Sequence, residues 1–152
     1  MPDKETLREF LLKEVDLIQE IVKRMAFNSF MIKGWTLTLV VASLLLRGTK
    51  GTGTESQVWA DFIAFIPLLV FWFLDAYFLW QERMYRKLYE WVVANRLATD
   101  EFLLDLNAYR FKEEVQSRFR IMFSTTLGWF YGAIAVLIII YALRLFLTKG
   151  GC

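Results

Sequence analysis

Residues 121–143 read IMFSTTLGWFYGAIAVLIIIYAL, twenty-three consecutive positions without an Asp, Glu, Lys or Arg. A helix needs about 20 apolar residues to cross a hydrocarbon core, so this stretch predicts a membrane span. Residues 58–80 form a second run, with Trp59 near its start and Trp80 at its end. The 21 residues between those indoles correspond to ~31 Å of helix, a spacing that sets an aromatic at each interface. A third and weaker run, 25–46, carries Asn28, Ser29 and Lys33 in its first half before a clean apolar stretch from Gly34 to Leu46. Three such helices would leave nothing to cover them in a water-soluble bundle. The expected class is therefore an all-α membrane protein with three transmembrane helices.

Composition narrows the chemistry. The chain has 152 residues, 18 Lys plus Arg against 16 Asp plus Glu, no His and a single cysteine, Cys152, at its end. A net charge of +2 is too small to imply direct nucleic-acid binding. Without His there is no His-based acid–base relay or His metal site, and one cysteine builds neither a disulfide nor a CxxC knuckle. The acids fall on helix faces beside bases, as in Glu9/Lys13 and Glu20/Arg24, rather than converging. We expect no enzyme, cofactor or metal site.

The basic residues set the sidedness. Outside the spans there are five in 1–24, two in 47–57, eight in 81–120 and two in 144–152. The first and third of these segments share a side and hold thirteen against four. Positive-inside bias puts them in the cytoplasm and the C-terminus outside. Residues 1–24 mix acids and bases and do not read as a cleavable signal. The connector 47–57, RGTKGTGTESQ, predicts a short flexible outer loop.

Leu7, Leu11, Val15, Ile18, Val22 and Met25 recur at spacings of three and four, an amphipathic N-terminal helix over 1–24. It can pack on its own chain, on another copy or on the membrane surface. In 81–120, Gln81–Leu97 lacks Gly and Pro and extends the second span as a helix. A turn near Ala98–Asp100, with Thr99 or Asp100 as cap, leads to an expected second helix, Glu101–Arg120. The result is a cytoplasmic helical hairpin with Met84, Leu88, Trp91 and Val92 facing Phe102, Leu103, Leu106 and Tyr109.

Polar residues inside the spans are the candidate functional positions. Asp61 lies one turn from the outer end. Lys33 and Asp75 lie 13 and 16 residues from the outer ends of their spans, a depth difference of ~4.5 Å. A charge at that depth is costly, which favours either a pair or a polar pathway. Ser124, Gly128 and Gly132 recur every four residues, and GWFYG is a GxxxG packing motif for a neighbouring helix, within the chain or from another copy. Pro67 removes one backbone donor and predicts a kink, a structural bend or a hinge.

The stretch FWFLDAYFLWQERMYRKLY, residues 71–89, together with the layout of spans and helices, resembles SLATT-like effectors and the small multi-span accessory proteins of bacterial anti-phage defence systems. The resemblance implies a pore-forming or membrane-perturbing effector in the bacterial inner membrane, triggered by a soluble cytoplasmic defence protein. It marks Asp75, Glu82, Arg83, Arg86 and Tyr89 as positions of interest. Three helices alone hardly enclose an aqueous lumen, so a pore requires a homo-oligomer. A membrane anchor that recruits a soluble partner enzyme, or a small transporter component, fits the same pattern of spans.

Overall fold

The computed structural model describes residues 3–49 and 54–149. Residues 50–53 of the expected connector and Cys152 lie outside the described residues, as do the side chains of Trp59 and Asp61. Among the described residues the regular secondary structure is entirely helical, without a strand. Four α-helices follow in order: α1 (Lys4–Thr49), α2 (Thr54–Asn95), α3 (Arg118–Met122) and α4 (Thr125–Lys149), with a 3-10 helix at Ala108–Glu114 between α2 and α3. Three of them, α1, α2 and α4, contain stretches long and apolar enough to cross a membrane.

Asp3 opens α1. Its carboxylate accepts the Lys4 N–H at 2.8 Å and its carbonyl accepts that of Leu7 at 3.0 Å, supplying partners for donors that the first turn leaves open. No Gly or Pro follows until Gly34, so the helix runs on for 46 residues, about 69 Å. The expected amphipathic helix 1–24 and first span 25–46 are one element. Similarly α2 has 42 residues, about 63 Å, and continues through Pro67. Each is about twice the ~30 Å of a hydrocarbon core.

Contacts divide the chain into two compact units, and both α1 and α2 contribute to each. The first combines α1 up to Ser29 with Tyr77–Arg118. Its core holds Leu7 and Ile18 from α1, and Trp80, Met84, Leu88 and Val92, every fourth residue of α2. Ala108 and Phe111 of the 3-10 helix complete it. The second unit combines Phe30–Ala76 with the chain from Phe119 onward. Ile32, Val40, Leu68, Leu127, Ile134 and Ile138 are buried there, one narrow stripe per helix.

The return segment departs from expectation. In place of a helix over Glu101–Arg120 it forms turns, the 3-10 helix and the short α3. The reason is local competition for backbone groups. Thr99 does not cap a helix; its hydroxyl accepts the Glu101 N–H at 3.1 Å, the Asp105 carboxylate accepts that of Asn107 at 3.0 Å, and the Asn107 amide oxygen accepts that of Tyr109 at 3.1 Å. One ring contact of the expected seam remains, Trp91 edge-on to Phe102 at 6.0 Å, and Tyr109 instead meets Trp80 at 5.9 Å. Trp80 is buried under Tyr109 and Arg118, so it packs inside the chain and does not stand as a free interfacial indole. The expected single span from Ile121 is likewise interrupted, because α3 ends at Met122 and α4 begins only at Thr125.

Candidate functional site

In the second unit, α1, α2 and α4 each deliver a polar group to one buried point. Lys33 Nζ stands 2.6 Å from Asp75 Oδ2, and the Tyr131 hydroxyl donates to the same oxygen at 3.1 Å. Asp75 and Tyr131 are fully buried, whereas the Lys33 side chain keeps 24% of its surface exposed. Thr36, one turn beyond Lys33, is also buried, and its hydroxyl donates to the Ile32 carbonyl at 2.7 Å. Trp72 fixes the phenol from one side, stacking on Tyr131 at 5.7 Å and 11° while its Nε1 donates to the Met122 carbonyl at 2.8 Å. That bond satisfies a carbonyl freed by the break between α3 and α4.

Chemically this is a neutral lock. One ammonium balances one carboxylate, and the Tyr131 hydroxyl adds a hydrogen bond to the same oxygen, which helps a buried pair to be tolerated. Sequence reasoning found Lys33 and Asp75 but not Tyr131 or Thr36. The signal for Thr36 was its i+3 spacing from Lys33. Tyr131 was read only as an interior residue of the GxxxG motif.

The first unit holds a second buried pair, which sequence reasoning missed. Arg96 Nε donates to Glu14 Oε2 at 2.6 Å and Nη2 to Oε1 at 3.0 Å, with both side chains essentially buried. The same guanidinium donates to the carbonyls of Thr99, Glu101 and Phe102 at 3.3, 2.8 and 3.1 Å. Glu14 Oε1 in turn accepts the Leu104 N–H at 2.6 Å. A planar fork of five donors suits this task in a way that an ammonium does not. The segment it holds is strained: Phe102 and Leu104 have φ of 56° and 57°, each costing about 1–3 kcal/mol for a bulky side chain. Nearby, the Arg110 guanidinium lies 4.4 Å from the Phe102 ring centre, 4.8 Å from that of Trp91 and 5.3 Å from that of Phe111.

The remaining candidates are dispersed. Glu82 is buried on α2 and receives Arg86 Nε and Nη2 on one oxygen at 2.9 and 2.6 Å. Arg83 Nη1 donates to Gln116 Oε1 at 3.1 Å, and Tyr89 is half-buried. Ser124 precedes α4, and its carbonyl accepts the Gly128 N–H at 2.7 Å, so it belongs to the helix start rather than to a three-residue groove. A Cβ built on Gly128 would meet only the Phe123 carbonyl oxygen at 4.0 Å, and one on Gly132 would meet nothing within 4 Å. Among the described residues, neither glycine serves a close helix approach.

No protein-family model matches the sequence, and comparison with curated proteins and with solved structures returned no similar chain.

Proposed function

We propose that the chain is a homo-oligomeric, multi-pass effector of the bacterial inner membrane, pore-forming or membrane-perturbing, and triggered through its cytoplasmic part. The observation that carries the reading is the open glycine face of α4, to which none of the described residues makes a close approach. Small residues of this kind let helices from separate copies approach closely in lipid. Asp75, Thr36 and Tyr131 are fully buried, and three helices alone hardly enclose an aqueous lumen. A path therefore runs between copies. The thirteen-to-four distribution of basic residues supports an N-terminus inside and a C-terminus outside. The setting in anti-phage defence rests on the resemblance of residues 71–89 and the layout of the spans.

Purified protein in liposomes tests this reading. Dye release or ion current that scales steeply with protein density is expected. Stable insertion without leakage, in the presence of any candidate trigger protein, overturns it. A membrane anchor for a soluble partner is the second reading, and it is favoured by the effort spent on holding the loop after Arg96.

A further inference from the structure

The loop that follows α2 displays apolar side chains where folding alone gives no reason for them. Leu97, Phe102 and Leu104 are 55%, 47% and 42% exposed, and Val93, one turn before Leu97 on α2, is 48% exposed. Phe102 and Leu104 reach this display only through left-handed backbone. A buried ion pair, Glu14–Arg96, is devoted to pinning the carbonyls and the N–H that hold the display in place. Strain, exposed apolar surface and buried charge all oppose folding, and a device that accumulates them around one segment is organised for contact with something else.

The rim identifies the partner's chemistry. Residues 97–107, LATDEFLLDLN, carry Asp100, Glu101 and Asp105 and no basic residue; all three acids are exposed, with Asp105 3.9 Å from Arg110 Nη1. Such a rim repels an anionic membrane surface, which recruits Lys and Arg. It complements a basic one. We propose that residues 97–105 are a docking knob for a soluble protein that offers an apolar groove flanked by lysines or arginines. The proposal deepens the reading above by naming where the trigger binds, and it rests on that reading only for the word trigger. Binding is measured apart from current, so either can fail without the other.

The experiment uses the full chain in nanodiscs of neutral phosphatidylcholine. The probe is a fluorescent lysine-rich helical peptide with one leucine stripe, beside an isomer of the same composition with the stripe scrambled. Fluorescence anisotropy is expected to show binding at least tenfold tighter for the striped peptide, weakening as salt rises. Leu97→Ser and Leu104→Ser should each reduce it tenfold or more. Asp100→Asn with Asp105→Asn should remove most of the salt dependence. Leu97 lies outside the strained pair, so its variant keeps the test meaningful if Leu104→Ser disturbs the loop, which limited proteolysis reports. Equal binding to all variants, to empty discs or to the scrambled peptide overturns the proposal. So does a fall in oligomer mass caused by Leu97→Ser, which would make the occupant a second copy. Recruitment of the loop to phosphatidylglycerol vesicles, lost in the Leu97 variant, would make it a membrane contact and equally overturn it.

Discussion

Lys33 Nζ and Asp75 Oδ2 stand 2.6 Å apart, joining α1 to α2, and the Tyr131 hydroxyl adds α4 to the same oxygen. Each of the three helices thus contributes at least one polar side chain to this buried point. A single polar junction of this kind fixes the register of three helices whose apolar faces offer many near-equivalent packings, because sliding any helix by one turn strands a charge.

Removing one member of that pair should harm the protein more than removing both. Asp75→Asn and Lys33→Met each leave one charge without its counter-ion, a loss of about 3–5 kcal/mol for a buried pair. The double variant should be clearly more stable than either single one. Tyr131→Phe removes one hydrogen bond to a carboxylate, about 1.5–3 kcal/mol. Thermal unfolding in detergent checks the order, and additive single and double effects would show that the two charges act independently.

Arg96→Lys should loosen the loop while leaving the charge sign intact. An ammonium has three donors on one atom and cannot serve both Glu14 oxygens and three carbonyls at once. Proteolytic cleavage within 97–106 is expected to rise more than tenfold. Glu14→Gln, which keeps an acceptor for Leu104, should do less damage than Glu14→Leu, which leaves the guanidinium buried without a carboxylate at about 3–5 kcal/mol. Equal cleavage in wild type and Arg96→Lys would mean that the loop is held by its rings instead.

The three apolar runs were legible because 22 or 23 mostly apolar residues, interrupted only by Lys33 in the first run and by Asp61 and Asp75 in the second, have few other uses. Counting residues from the ends of two runs placed Lys33 and Asp75 at similar depth, and the two side chains do meet. Glu14 was not legible, and the reason is its neighbour. Val15 is apolar and took its place in the helical stripe, although Leu7, Glu14 and Ile18 are the positions buried on that face. Arg96 was similarly hidden at the end of the series Trp80, Met84, Leu88 and Val92, whose four-residue period it continues. A charged residue occupying a buried phase is a signal in itself, since it demands a partner. The return segment was misread because helix formers were counted while Thr99, Asp105 and Asn107 were not weighed as competitors for the backbone.

Orientation has a native probe. Cys152 is the chain's one thiol and by the charge argument lies outside. A membrane-impermeant maleimide should label it on intact spheroplasts. Labelling that appears only after permeabilisation would reverse the proposed topology and put the docking loop on the outer side.

Assembly through α4 can be separated from folding of the protomer because Gly128 and Gly132 are open within the chain. Among the described residues, alanine at either site meets no side chain, the nearest atom at Gly128 being the Phe123 carbonyl oxygen at 4.0 Å, and it is a better helix former by about 1 kcal/mol. The protomer of Gly128→Ala/Gly132→Ala should therefore be as stable as wild type or more so. A neighbouring helix that used the glycines for close approach would be pushed outward by the two methyls, and more by Gly128→Ile/Gly132→Ile. Oligomer mass in detergent should fall stepwise from wild type to the alanine pair to the isoleucine pair, with protomer melting unchanged or raised in the alanine pair. Falling mass together with falling protomer stability would point to a contact inside the chain. An unchanged mass in both variants would remove the glycine face from the assembly and, with it, the observation on which the proposed path between copies depends.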